Sequence, residues 1–238
     1  MTAPRQLLLN IRPEQQPSFA NYVVGANAEL VARLGGFADC GVFDQIYLWG
    51  PPGSGRSHLL RAAALRVEAA RRPVLAINGA QVGDELAPPP GGLLIVDDID
   101  ALSAAAQITL FRIFNAARLV GLALLLAGPE PPLLLKLRED LRTRVGATLV
   151  YEVKPLTDSD KAAAMRSRAL GRGMPVDDSL IDYLLRHGRR DLPSLLAVID
   201  LLDRVSLEQQ RVPTLPLLRE LMHKSPELAD DPAQPGAV

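Results

Sequence analysis

The chain has little of several features that would assign it to a particular class of protein. Its 238 residues include one cysteine, Cys40, so no intramolecular disulfide can form. Three histidines beside that single cysteine argue against a structural zinc site. The 26 basic and 27 acidic residues nearly balance, so the chain lacks the overall positive charge that is typical of a nucleic-acid-binding protein.

Long hydrophobic runs are also missing. The apolar run near the N-terminus, residues 7–9, is too short for a secretory signal, and the richest later run, residues 120–127, has only the length of a strand. We therefore expect a soluble cytoplasmic protein. A chain with 48% hydrophobic and 22% charged residues can bury one α/β core and a smaller helical domain.

A glycine-rich segment at residues 50–57, Gly-Pro-Pro-Gly-Ser-Gly-Arg-Ser, matches the phosphate-binding loop G-x-x-x-x-G-K-[ST] except at Arg56. In such loops the backbone N–H groups cradle phosphates at the start of a helix, and the final hydroxyl holds Mg²⁺. The alternative is a glycine-rich turn without a ligand. The predicted nucleotide-binding residues here are Pro52, Gly53, Ser54, Gly55, Arg56, Ser57 and His58, and Ser57 is also a predicted Mg²⁺ ligand.

Arg56 stands where the pattern has lysine. A guanidinium pairs strongly with phosphate oxygens, but it is broader than the ammonium and cannot occupy the same small volume. We therefore predict that the site holds ADP in preference to ATP and that it turns over ATP poorly by itself.

The periodicity predicts strands that alternate with helices, followed by helices alone. Strands are expected at residues 45–49, 74–78, 93–98, 121–127 and 147–153, with helices at 58–72 and 103–119 between them. Helices are expected beyond Pro155 at 161–170, 179–187, 192–208 and 215–222. This order predicts an α/β fold with a doubly wound parallel sheet, its ligand at the carboxyl edge, and a small all-helical lid.

The same patterns divide the chain into four parts. We expect an N-terminal segment at 1–16, the α/β core at 17–155, the lid at 156–223 and a disordered tail at 224–238. The helix that follows the loop carries several basic residues, arginines 61, 66, 71 and 72. We expect these side chains to be exposed, where they would aid solubility or form a local patch for DNA.

The third strand ends in Asp97 and Asp98, as a magnesium-coordinating Walker B strand does. The first carboxylate would lie near the metal with Ser57, and the second would polarise a water molecule. Two aspartates at the end of a strand can also be only a turn or a helix cap. The fourth strand runs into Gly128 and Pro129 with no polar residue at its tip, which weakens the case for ATP hydrolysis by this chain alone.

Together these motifs resemble the AAA+ ATPases, and among them the DnaA family of replication initiators. Residues 19–27, the loop with His58-Leu59-Leu60, residues 141–144 and Arg190-Asp191-Leu192 carry the resemblance. It implies that residues 19–27, with Val23 and Val24, flank the adenine, that Arg144 is an arginine finger acting in trans, and that Arg190 is a sensor arginine that binds nucleotide. Without the resemblance, both arginines would be taken as ordinary solvated side chains.

The N-terminal segment contains Gln6, Leu7, Leu9 and Ile11, which resemble the peptide that bacterial proteins insert into the DNA polymerase III sliding clamp. In an extended chain the glutamine would bond to the rim of a pocket while the alternating apolar side chains fill it. A stray edge strand or an anchor against the core is the alternative.

The chain continues for only 16 residues after Met222, so we expect no helix-turn-helix domain of the initiator type. What remains is similar to the branch of the DnaA family that inactivates the initiator. This resemblance implies an ADP-bound protein, with or without Mg²⁺, that sits on the DNA-loaded clamp and stimulates hydrolysis of the ATP on DnaA. Contact with DNA would then be made indirectly, through the clamp. The resemblance is also compatible with a homo-oligomer. The alternatives are a self-sufficient AAA+ ATPase such as a DnaA-like helicase loader, or a nucleotide-free clamp adaptor.

Overall fold

The computed structural model describes residues 16–39 and 41–224. Contacts between residues divide them into two units, one that ends at Pro155 and one that begins at Leu156. Among the described residues, no helix is long and apolar enough to cross a membrane.

The first unit is built on a parallel sheet. Its strands are β1 (Gln45–Trp49), β2 (Val74–Asn78), β3 (Leu93–Asp97), β4 (Ala123–Gly128) and β5 (Leu149–Glu152), in the order β2-β3-β4-β1-β5. Every residue of β4 and all but the last of β3 are buried, as expected for parallel strands with helices on both faces. The predicted fold class is confirmed.

Two helices pack on each face of the sheet. α1 (Ala28–Gly35) and α2 (Arg56–Ala69) cover one face, where Leu34 and Leu59 are fully buried. α3 (Ala104–Ala117) and α4 (Glu139–Gly146) cover the other face through side chains that include Leu110 and Leu141. The sequence patterns did not predict α1 and α4. Each has eight residues, too few for a clear helical period.

Arg72 corrects the expectation that all the arginines after the loop are exposed. Its side chain is only 7% exposed, whereas arginines 61, 66 and 71 are exposed. The guanidinium donates hydrogen bonds to the carbonyl oxygens of Phe37, Gly91 and Gly92 at 2.8–3.0 Å. It therefore ties together two loops that are distant in sequence.

We expect Arg72→Met to destabilise the fold by about 2–4 kcal/mol, because it leaves buried carbonyl groups without their donors. Urea unfolding followed by circular dichroism would measure the change. Arg71→Met, at the exposed neighbouring position, should shift the stability by no more than about 0.5 kcal/mol. Equal effects at the two positions would contradict this role for Arg72.

The second unit consists of four helices, α5 (Asp158–Leu170), α6 (Asp178–His187), α7 (Leu192–Gln209) and α8 (Leu215–Lys224). A capping box of Thr157 and Asp160 begins α5. Arg168 pairs with Asp200 through two hydrogen bonds of 2.8 and 2.6 Å, which joins α5 to α7. The last helix extends through Lys224, one residue past the predicted lid boundary, so that residue is helical and does not begin the tail.

Candidate functional site

The phosphate loop lies between β1 and α2, at the carboxyl edge of the sheet. Gly53 and Gly55 adopt positive φ angles of 76° and 99°, a conformation that residues other than glycine rarely adopt. α2 begins at Arg56, two residues earlier than predicted, directly after the left-handed Gly55. A Cβ atom on Gly55 would lie 3.0 Å from the ring of Tyr22, so the loop requires glycine there for space as well as conformation.

Two polar atoms of the loop are buried without a hydrogen-bond partner in the described part of the chain. They are Ser54 Oγ and Nη1 of Arg56. Buried polar groups in folded proteins nearly always have a partner, and a guanidinium nitrogen needs an acceptor. A phosphate oxygen would supply one. The loop therefore fits a nucleotide phosphate by its backbone conformation and by its unpaired donor.

Ser57 and Asp97, the predicted magnesium ligands, are brought together although 40 residues separate them. Ser57 Oγ donates a hydrogen bond of 2.8 Å to Asp97 Oδ2. Within residues 16–39 and 41–224 no cluster of three His, Cys, Asp or Glu residues could hold a metal. Mg²⁺ usually combines one or two protein ligands with phosphate oxygens and water, so the pair fits Mg²⁺ that arrives with a nucleotide. Bound there, Mg²⁺ would neutralise phosphate charge.

Asp98 is held in a left-handed conformation with φ of 52°, which is rare for a residue with a side chain. Its Oδ2 accepts a 2.9 Å hydrogen bond from Nδ2 of Asn78, the last residue of β2. A Cβ atom on the next residue, Gly79, would lie 2.2 Å from the Asp98 carbonyl oxygen. Sequence analysis did not single out Asn78. The available signal was a polar residue at the end of a strand predicted to share this edge.

The tip of β4 carries no polar side chain, because the strand ends at Gly128. A Cβ atom there would lie 2.6 Å from the hydroxyl of Tyr47, which donates a 2.6 Å hydrogen bond to the carbonyl oxygen of Glu130. Burial raises the pKa of Tyr47 well above its usual range, so the hydroxyl remains a donor. A buried tyrosine hydroxyl therefore fills the space beside the β4 tip.

The segment before α1 is held by contacts with α2 and with the chain that follows β5. Asn27, 3% exposed, donates from Nδ2 to the Lys154 carbonyl and accepts from the Lys154 N–H, at 2.9 and 2.8 Å. Tyr22 lies 5.4 Å from the ring of His58, and His58 Nε2 is 3.1 Å from the Ser18 carbonyl oxygen. Val23 and Val24 are half-buried in this segment, and their adenine contact stays a prediction. Sequence analysis placed Asn27 in the segment expected to flank the adenine, but it did not predict these bonds to Lys154.

Arg144 lies on the last turn of α4 and is exposed. Its Cζ atom is 5.9 Å from the centroid of the half-buried Phe111 ring. An open pocket of about 750 Å³ adjoins it and is lined by both of these residues, Arg138, Asp140 and two neighbours. Arg138 donates hydrogen bonds of 3.2 and 2.9 Å to the two Asp140 oxygens, which lowers the pKa of Asp140. Among the described residues the nearby Asp140 pairs with Arg138 and no carboxylate pairs with Arg144, whose side chain lines the open pocket.

Of the remaining residues predicted to bind a ligand or a partner, only Arg190 lies within the described residues. Arg190 is exposed and directly precedes Asp191, the N-cap residue of α7. Its nucleotide contact stays a prediction. The clamp-binding residues, Gln6, Leu7, Leu9 and Ile11, lie outside the described residues.

Comparison with known proteins gives both a family match and a structural match. Residues 158–222 match the family model described as Hda, lid domain. Domain III of the Thermotoga maritima replication initiation protein DnaA is similar with a TM-score of 0.72 and 17% identity, over 89% of this chain and 97% of that chain. AMPPCP-bound DnaA from Aquifex aeolicus is similar with a TM-score of 0.69 and 20% identity, over 89% of this chain and 69% of that chain.

At these identities the structural likeness shows the fold. The sheet order, with the phosphate loop after β1 and the paired aspartates after β3, is that of a fold similar to DnaA domain III. The helical unit matches the lid domain of Hda over residues 158–222.

Proposed function

We propose that this chain is a negative regulator of replication initiation that stimulates hydrolysis of the ATP bound to DnaA while it is held on the DNA-loaded sliding clamp. The observation that supports this most directly is a helical unit that matches the Hda lid beside a DnaA-like core fold, whose exposed Arg144 has no carboxylate partner in the described part of the chain. Such an arginine is available to a phosphate group on another protein.

Arg144 acts by charge. When water attacks the γ-phosphorus of ATP, the bond from phosphorus to the β,γ-bridging oxygen breaks and negative charge spreads over the transferring oxygens. A guanidinium placed against those oxygens stabilises the transition state more than the ground state. DnaA positions the water in its own site. Arg144 contributes the stabilising cation, and no proton passes through it.

The nucleotide bound by this chain has a structural role, and the hydrolysis takes place in the site of DnaA. Its loop offers the unpaired Arg56 donor to a phosphate, while the β4 tip at Gly128 offers no side chain to orient a water molecule. We propose that ADP occupies the site and that Val23, Val24 and Arg190 contact it. The DnaA structures with AMPPCP have the same fold, which supports an adenine nucleotide here.

The N-terminal residues Gln6, Leu7, Leu9 and Ile11 are proposed to bind the clamp. Joining this chain and DnaA to one DNA-bound assembly raises their effective concentration without any new contact at Arg144. Clamp dependence is thus expected to appear as a lower concentration needed for stimulation.

The assay that tests the function follows conversion of labelled ATP to ADP on DnaA, with and without clamp loaded on DNA. We expect Gln6→Ala combined with Leu7→Ala to raise the concentration needed for half-maximal stimulation about 10²-fold with clamp present, by removing the tether. The maximal rate should not change, because Arg144 is intact. The same variant should bind ADP like the wild type, which serves as the control. Stimulation that is indifferent to both clamp and peptide would contradict the proposal.

A self-sufficient AAA+ ATPase, such as a helicase loader, is the second candidate, and the retained Ser57–Asp97 contact favours it. That activity would give steady ATP turnover by the chain alone and assembly in the presence of ATP. A nucleotide-free clamp adaptor would bind neither ADP nor ATP.

A further inference from the structure

The side chain of Gln107 connects two elements of the core unit that are separated in sequence. Its Nε2 donates a 3.2 Å hydrogen bond to the carbonyl oxygen of Leu102, which ends the turn that follows Asp98. Its Oε1 accepts a 2.8 Å hydrogen bond from the backbone N–H of Arg138. Because one end of the amide faces an acceptor and the other a donor, both partners set the same orientation of the side chain.

Arg138 is the N-cap residue of α4, the helix that carries Arg144. The Arg138 side chain makes no capping hydrogen bond, and Asp140 Oδ1 accepts one from the Leu141 N–H within α4. Gln107 adds a bond to the N-cap residue from a different helix. A helix of eight residues has little stability of its own, and its orientation depends on the groups that dock it. The buried side chains Leu141 and Val145 hold the apolar face of α4 against the sheet. The Gln107 bond holds the N-cap residue from which α4 begins.

The other end of the amide connects to the nucleotide edge. Leu102 follows a short turn, Ile99–Ala101, that begins directly after Asp98. Asp98 is in turn bonded to Asn78, and its neighbour Asp97 is bonded to Ser57 of the phosphate loop. A continuous set of contacts therefore runs from the loop, through the paired aspartates and Gln107, to the start of α4.

We propose that Gln107 is a positioning residue that ties the start of α4, and with it Arg144, to the turn that follows β3. The proposal rests on the proposed function of Arg144. A finger acts only when its guanidinium meets the transferring phosphate, and a displacement of about 1 Å can cost on the order of 10²-fold in rate. Gln107 thus sets the maximal rate of stimulated hydrolysis and not the affinity for DnaA.

The test compares Gln107→Leu and Gln107→Glu in the full-length chain. Leucine removes both hydrogen bonds at similar size, whereas glutamate keeps the acceptor for Arg138 N–H and loses the donor to Leu102. We expect Gln107→Leu to lower the maximal rate of DnaA-bound ATP hydrolysis about 10-fold, with a half-saturating concentration within about 2-fold of wild type. Gln107→Glu should fall between wild type and Gln107→Leu. Gln81→Leu, at an exposed glutamine, is the matched control and should behave like wild type.

Amide hydrogen exchange of the free protein provides a readout that does not depend on DnaA. The Arg138 amide should exchange about 10-fold faster in Gln107→Leu and at the wild-type rate in Gln107→Glu, because only the first change removes its acceptor. An unchanged exchange rate of the Arg138 amide in Gln107→Leu would show that Gln107 does not bond to Arg138 in solution. An unchanged maximal rate beside an active wild type would overturn the positioning role while the proposed function stands. Absence of stimulation by wild type would reject the proposed function itself.

Discussion

Arg144→Ala is expected to reduce the stimulated hydrolysis of DnaA-bound ATP by about 10³-fold or more at saturating protein. Arginine fingers contribute roughly 10³ to 10⁵ in rate because they neutralise charge that develops only in the transition state. The side chain is exposed and contacts the Phe111 ring within its own chain. Its removal should therefore leave the fold and the bound ADP unaffected. Single-turnover measurement of labelled ATP on clamp-tethered DnaA gives the rate directly.

Two variants sharpen this experiment. Arg142→Ala removes the same charge from the same helix two residues earlier, and it should retain most of the stimulation if position matters and net charge does not. Arg144→Lys keeps a charge but loses the planar fork, so it should recover only part of the rate. If Arg144→Ala stimulated hydrolysis as well as Arg142→Ala does, the assignment of the finger would be wrong.

Gly55→Asp is expected to weaken ADP binding by about 10²-fold or more. Three effects act together at this position. The residue has φ of 99°, a Cβ atom would meet Tyr22 at 3.0 Å, and a carboxylate would stand where we propose that the loop cradles phosphate. Isothermal titration calorimetry with ADP and ATP measures the loss, and the wild type should bind ADP at least as tightly as ATP.

Gly41→Asp provides a matched control for the backbone strain. Gly41 has a nearly equal φ of 96°, but a Cβ atom there would meet nothing within 4 Å. Its variant should bind ADP like the wild type after correction for any unfolded fraction. Undiminished ADP binding by Gly55→Asp would show that the loop is not the nucleotide site. Failure of the wild type to bind either nucleotide would favour the clamp adaptor.

The parts of the site that could be predicted are those encoded by contiguous residues. Residues 50–57 specify the loop because glycine spacing and the following hydroxyl are local features. The alternation of buried strands and helices places Asp97 at the same sheet edge as Ser57, and the 2.8 Å contact between them follows. Which arginines are buried could not be predicted from contiguous residues. Arg72 and Arg71 are neighbours with the same chemistry, yet only Arg72 finds buried carbonyls to bind.

The contacts that sequence analysis missed all join residues across long separations. Asn27 bonds to Lys154, Asn78 to Asp98, and Gln107 to the backbone of Arg138, at separations of 127, 20 and 31 residues. Each is made by a polar residue of ordinary type, and no spacing in the sequence indicates its partner. The eight-residue helix α4 escaped prediction for a related reason, since packing on α3 and the sheet and not periodicity accounts for it.

The linear order of motifs therefore settles the fold class, the location of the phosphate loop and the identity of the paired carboxylates, because each depends on neighbours a few residues apart. The partners of Asn78, the burial of Arg72, the filling of the β4 tip by Tyr47 and the docking of α4 were fixed when distant segments packed together. Hydrogen bonds to buried backbone groups form only in the folded chain, and no local sequence pattern predicts which side chain will make them.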